Sequence, residues 1–173
     1  MSPLPAIELP KTFNRLAWSN LAAQSAEQIA LAAAPIVAVL LLGVGEGQTG
    51  VLQTALTLPF VLIAIPAGLA ADRMSRRLLM AGSETLRAAA LATILLLIWL
   101  GALNLTLLAL LGFAAVCGTV VYSVAAPALV PSLVASQQLP AANARIELAR
   151  TVAFAAGPAL GGALVGWMGA APA

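Results

Sequence analysis

Gly68-Leu-Ala-Ala-Asp72-Arg73-Met-Ser-Arg76-Arg77 is the stretch on which the reading turns. Four charged side chains fall within six residues, Asp72 to Arg77, in a chain that holds only eight basic and six acidic residues. The runs on either side are apolar enough to live in lipid. A membrane therefore meets water at this knot, and the chain can be read outward from it.

Composition points the same way. The 173 residues are 62% hydrophobic and 8% charged, with a mean hydropathy of +1.03. A soluble domain carries about 25% charged residues. A surface this poor in charge cannot be held in water, so the class is integral membrane protein. The net charge of +2 does not point to nucleic acid. The basic residues lie in no patch interleaved with aromatics, and their placement follows the positive-inside rule instead. Histidine is absent, which removes His-based triads, proton shuttles and metal ligands together. The single cysteine, Cys117, lies in an apolar run and cannot form an internal disulfide. Residues 1–11 hold an acid and three prolines, with no basic segment leading into a short apolar core. They read as a short cytoplasmic tail rather than a signal peptide.

A spanning helix needs roughly 20 mostly apolar residues. Outward from the knot, residues 48–70 before it and 78–100 after it meet that test, followed by 105–124 and 140–168, and residues 16–42 meet it at the front. The segment 48–70 contains Pro59 and Pro66, which a spanning helix accepts when neighbours satisfy the freed carbonyls. Residues 16–42 contain Pro35, a point of kinking or loosening. Glu84 and Arg87 stand one turn apart and can pair, or Arg87 can reach back to the interface. Trp99 stands at the far end of its helix, where an aromatic belt residue is expected. Pro127 and Pro131 interrupt the pattern, so 125–139 is expected to be a less regular connection. Pro140 suits a first helical position.

Five spans with the N-terminus inside put all eight basic residues on the cytoplasmic side or at cytoplasmic helix ends. The outer turns, 43–47 and 101–104, carry no Lys or Arg, only Glu46. Four or six spans would spoil this segregation.

In that setting the knot gains meaning. A glycine, three residues, Asp-Arg, two residues and two basic residues, in a short loop between the second and third spans, resembles the signature loop of the major facilitator superfamily. Ser75 stands where many members have glycine. Physically, Gly68 permits close helix approach, Asp72 can cap a helix or meet a neighbouring helix N-terminus, and Arg73, Arg76 and Arg77 can bind acidic side chains or lipid phosphates. The resemblance implies a cytoplasmic latch between two halves of a transporter. The plainer reading is a positive-inside anchor with Asp72 as a local partner.

Two further elements extend the resemblance. Gly157-Pro158-Ala-Leu-Gly161-Gly162 is similar to the Gly-Pro-x-x-Gly-Gly element of exporters in this superfamily, which implies a bend and a tight seam that limit leak. Ordinary small-residue packing is the plainer account, and the two do not exclude each other. Pro66-Ala67-Gly68, Ala126-Pro127, Pro131-Ser132-Leu133-Val134, Leu139 and Ala142-Asn143 add a likeness to the branch with enterobactin exporters and macrolide efflux proteins. Many drug–proton antiporters have an arginine in the fourth span, and 105–124 has none.

Asn20, Gln24, Glu27 and Gln28 lie on one broad face of the first span. Lipid would not tolerate that face, so it should point into protein or a watery cavity. Glu27 comes near the midplane, where an ionisable group costs a few kcal/mol or more and marks a functional site by default. It could bind a proton or a cationic substrate. Alternatively, Gln24, Gln28 or a later helix could hold it for packing. The resemblance places such an acid at the cavity wall.

The fold expected is all-α: a polytopic membrane domain over 1–173 with about five spans, forming part of the N-terminal six-helix bundle of a major facilitator. Family transporters have about twelve helices in two halves around a midplane site. The chain is therefore expected to be a fragment whose C-terminal half is missing, and alternating access is not expected of it alone. The implied function is efflux of a small molecule of drug or siderophore type across the bacterial inner membrane. The implied partners are that substrate, membrane lipids and a proton as coupling ion, with no cofactor, metal, nucleic acid or catalytic residue. One rival is a small complete scaffold or assembly protein, which leaves the knot and the glycine seam unexplained. Another is an intramembrane enzyme, against which the lack of histidine and of paired carboxylates within the helices counts.

Overall fold

The computed structural model describes residues 9–169. All but the end of the expected cytoplasmic tail, 1–11, lies outside the described residues. Six α-helices follow in order: α1 (Lys11–Leu42), α2 (Glu46–Leu62), α3 (Ala64–Arg73), α4 (Arg76–Trp99), α5 (Leu105–Leu129) and α6 (Leu139–Gly169). Among the described residues there is no strand. Four segments are each long and apolar enough to cross a membrane: Lys11–Leu42, Arg76–Trp99, Leu105–Ser132 and Ser136–Trp167. The pair α2 and α3, bent by 41°, supplies a fifth when read as one crossing.

That bend corrects the expectation of one helix over 48–70. Pro66 has no N–H to give the carbonyl of Leu62 four residues earlier, and its ring crowds that carbonyl. The helix turns at Ile63, one residue after Leu62. Neighbouring bonds survive, from the Ile63 amide to Pro59 (2.8 Å) and from the Ala67 amide to Ile63 (2.8 Å). Pro59 itself stays inside α2 and is buried. Pro35 in α1 and Pro158 in α6 are likewise carried inside their helices. The fourth span runs past its expected end at 124. Pro127 is taken into the last turn of α5, and short 3-10 turns at Val130–Ser132 and Ser136–Gln138 complete the link to α6.

The turns expected outside are made by glycine. Gly43 (φ 62°) and Gly101 (φ 64°) take the left-handed conformation that other residues adopt only at a cost. α5 then begins with Asn104 as its cap, its side chain accepting from the Leu107 amide at 2.9 Å. Asn104→Ala removes that acceptor. It is expected to destabilise the bundle by about 1 kcal/mol, read as a lowered midpoint in detergent unfolding.

Helix α1 packs along α6, α4 packs along α5, and α2 and α3 also lie on α5. Apolar clusters close the two ends. Ala38, Leu52, Leu56, Leu108 and Val116 gather where α1 ends and α2 and α5 begin. Phe13, Leu16, Ala17, Val130 and Ala142 gather where α1 and α6 begin and α5 ends. Between them, at mid-height, lies a layer of polar side chains.

Candidate functional site

The layer is built on the middle of α1. Glu27 stands at the centre of that 32-residue helix and is half-buried. Asn20 (4% exposed) and Gln28 (7%) are buried, and Gln24 is half-buried. Among the described residues the Glu27 carboxylate has no hydrogen-bond partner, and neither Gln24 nor Gln28 holds it. Arg87 and Arg150 act on it through space. The Nδ2 of Asn20 is also buried without a partner. An amide donor left unsatisfied inside an apolar bundle is costly to keep.

The best-tied member of the layer is Arg87, which comes from α4. It is 5% exposed. Its Nη1 donates to Glu84 Oε1 at 2.7 Å, and its Nη2 donates to the carbonyl of Ala23 on α1 at 2.8 Å. So Arg87 pairs with Glu84, and instead of reaching back to the interface it clamps α4 to α1 one turn before Glu27. Room for it comes from Gly118 on α5. A Cβ there would stand 2.8 Å from Arg87 Cγ and 2.8 Å from the Ser83 carbonyl. Tyr122, 2% exposed, adds a hydroxyl 3.4 Å from Ser19 Oγ.

On the other flank, α6 lies against the same face of α1. A Cβ on Gly157 would collide with Cβ of Gln28, and one on Gly161 would stand 2.9 Å from the Ile29 carbonyl. Gly162, grouped with them in the sequence, meets nothing within 4 Å. The α1–α6 contact is therefore carried by Gly157 and Gly161, four residues apart, while Pro158 faces outward.

The charged knot lies apart from this layer. Gly68, Asp72 and Arg73 belong to α3, and Arg76 and Arg77 begin α4. Asp72, Arg73 and Arg77 are exposed. Arg76 reaches across to donate to the Ala128 carbonyl at 2.6 Å, near the C-terminal end of α5, where a helix dipole favours a cation. Asp72 caps no helix, since the N-cap of α4 is Ser75 and has no side-chain cap bond. Nor does a neighbour explain Gly68, around which no described atom lies within 4 Å of a Cβ.

Sequence reasoning missed three links: Arg87 to Ala23, Arg76 to Ala128, and Ser19 with Tyr122. Each joins residues at least 52 positions apart. The signal available for Arg87 was Gly118, a small residue opposite a long one.

Apolar crossings around a mid-height polar layer that holds Glu27 and the Arg87–Glu84 pair describe a polytopic membrane domain rather than a soluble fold. A family model described as transmembrane secretion effector, of the major facilitator kind, matches residues 12–173. The chain belongs to this family of membrane transporters, a family generally without enzymatic activity. The match favours a transporter over the scaffold reading. No curated protein and no solved structure matches the chain.

Proposed function

We propose that the protein acts in secondary active efflux of a small molecule, of drug or siderophore type, by alternating access. On this reading it sits in the bacterial inner membrane with its N-terminus in the cytoplasm, and it falls in the branch of enterobactin and macrolide exporters. The observation that carries the reading is Glu27: an acid at the middle of a spanning helix, half-buried, without a hydrogen-bond partner among the described residues. A structural acid would be held. An acid left open beside Asn20, Gln24 and Gln28 is available to a proton or a cationic substrate group. The family description supports export over uptake. The segregation of basic residues supports the orientation.

The knot then acts as a latch through Gly68, Asp72, Arg73 and Arg77, which find no ion pair within the described residues and are free to meet a second half. Arg76 is occupied by Ala128 and holds the knot in place. The Gly157–Gly161 seam, with Pro158 beside it, limits leak along α1 and α6. With no arginine in α5, the positive charge near Glu27 comes from Arg87 on α4 and, to a smaller extent, from Arg150 on α6.

Glu27→Gln in vesicles carrying the full-length protein is expected to abolish efflux, or at least its dependence on pH, while leaving membrane insertion intact. Efflux assayed with a panel of cationic drugs and siderophores checks this. Unchanged transport with an unchanged pH profile removes Glu27 from the site.

A further inference from the structure

Arg87 is bonded to the turn of α1 that carries Glu27. In an α-helix each carbonyl accepts from the amide four residues on. The Ala23 oxygen that takes Arg87 Nη2 at 2.8 Å is therefore also the backbone partner of Glu27. That carbonyl points along α1 toward Glu27, so the cation bound to it sits on the Glu27 side. Glu84 holds the other arm of the guanidinium at 2.7 Å, and Gly118 leaves the space through which the side chain passes. Arg87 is already enclosed by described helices, at 5% exposed. None of these contacts depends on what packs against the outer faces of α1 and α6. Ala23, Tyr122 and Ala126 form a buried cluster beside them, and charges reach further where water is excluded.

The charged and titratable groups around this turn are few. Besides Arg87 and Glu84, α4 brings none. From α5 come the Tyr122 phenol and the Cys117 thiol next to Gly118. The one charged residue of α2 is Glu46, at its outer start, and Asp72 and Arg73 of α3 remain at the knot. From α6, Arg150 also acts on Glu27, less than Arg87 does, and it faces Glu147 at 4.0 Å. Two acids thus share one enclosed cation: Glu84 by a direct bond, Glu27 through space. A clamp that only joined α4 to α1 needs no charge. A neutral donor serves a carbonyl too, at less cost in an apolar layer. The charge has a use where an acid stands on the same turn.

We propose that Arg87 is a positioning residue for Glu27: it fixes a positive charge at the turn below the acid, and Glu84 sets how much of that charge Glu27 feels. This rests on the reading of Glu27 as the acid that takes up a proton or a cationic group. The pair Arg87–Glu84 then decides at what pH Glu27 is open to either.

The test reads Glu27 directly, without transport. Dicyclohexylcarbodiimide attacks a protonated carboxyl in apolar surroundings, so its labelling of Glu27 across a pH series, located by fragmentation mass spectrometry, gives a midpoint. The full-length protein in nanodiscs is used. Arg87→Gln removes the cation and is expected to raise the midpoint by about one pH unit. Glu84→Gln frees the cation from its partner and is expected to lower the midpoint by about half a unit. Arg87→Lys keeps the charge and should stay within about 0.3 unit of the parent, although it weakens the clamp. A purely structural role predicts no such opposite shifts, and it makes the lysine variant resemble the glutamine one. Circular dichroism confirms intact helices before midpoints are compared, and Glu84→Gln, which leaves the bond to Ala23 in place, carries the test if Arg87→Gln does not fold. A pH-dependent label whose midpoint stays put in Arg87→Gln or Glu84→Gln, or moves the same way in both, overturns this proposal alone. A label on Glu27 that does not vary with pH in the parent overturns the reading of Glu27 as an open acid, and this proposal with it.

Discussion

Gly157→Val is expected to open the seam between α1 and α6 and to lower the stability of the bundle by about 2 kcal/mol or more, within the range of overpacking. The obstacle is close to the backbone: the new Cβ would fall on Cβ of Gln28 and lie 3.3 Å from its Cα. Neither atom can swing aside as the tip of a long side chain could, so one helix must move. Because α1 and α6 form one of the two most extensive helix contacts in the protein, the shift is felt along most of both. The control is Gly162→Val. It changes a glycine of the same sequence element, but in open space, and should stay within about 0.5 kcal/mol. Unfolding midpoints in detergent, followed by circular dichroism, separate the two. Equal effects would mean that the element acts through helix propensity and not through the α1 contact.

Arg87→Leu is expected to cost about 3 kcal/mol. Breaking a buried ion pair by removing one partner costs about 3–5 kcal/mol because a charge is left behind. The low end applies, since the Glu84 side chain is 41% exposed and water can take over part of its charge. The variant also loses the bond from Nη2 to the Ala23 carbonyl, the one described hydrogen bond from α4 to α1. Arg87→Lys should fall between parent and leucine variant, because a single ammonium cannot serve two acceptors in the fixed fork geometry of guanidinium. Adding Glu84→Leu to Arg87→Leu should recover part of the loss by removing the stranded carboxylate. The same unfolding assay reads all three. No loss in Arg87→Leu would show that the clamp contributes nothing to stability.

How far the sequence could be read differs with the length scale of the physics. The class, the helices and the membrane segments are governed by runs of apolar residues, which are local and visible. The left-handed turns at Gly43 and Gly101 and the start of α6 at Leu139–Pro140 follow from single residues. The break at Ile63 was open to the same reasoning, because Pro66 cannot serve the Leu62 carbonyl. It was missed by treating 48–70 as one apolar run. The site is harder. Helical spacing gathers Asn20, Gln24, Glu27 and Gln28 on one side of α1. It does not say that Gly157 lies on Gln28, or that Gly162, five residues on, faces open space. That depends on the register between α1 and α6, which only packing sets. Arg87 shows the same limit. Its pairing with Glu84 is a matter of local spacing, but its bond to Ala23 crosses 64 residues of chain and needs the cleft that Gly118 leaves.

The break at Ile63 has a mechanical side. It divides one crossing into two rods that are aimed separately, so α2 does not dictate where the knot points. What does is α5. The lower rod, α3, lies on α5, and at the far side of the knot its own Arg76 is fastened to Ala128 of the same helix. The charged knot is therefore slung from α5 on both sides, like cargo on a rail. At about 1.5 Å per residue, the ten residues of α3 make an arm about 15 Å long. A tilt of α5 by about 10° would carry the tip of that arm through roughly 2.5 Å, about half a helical turn.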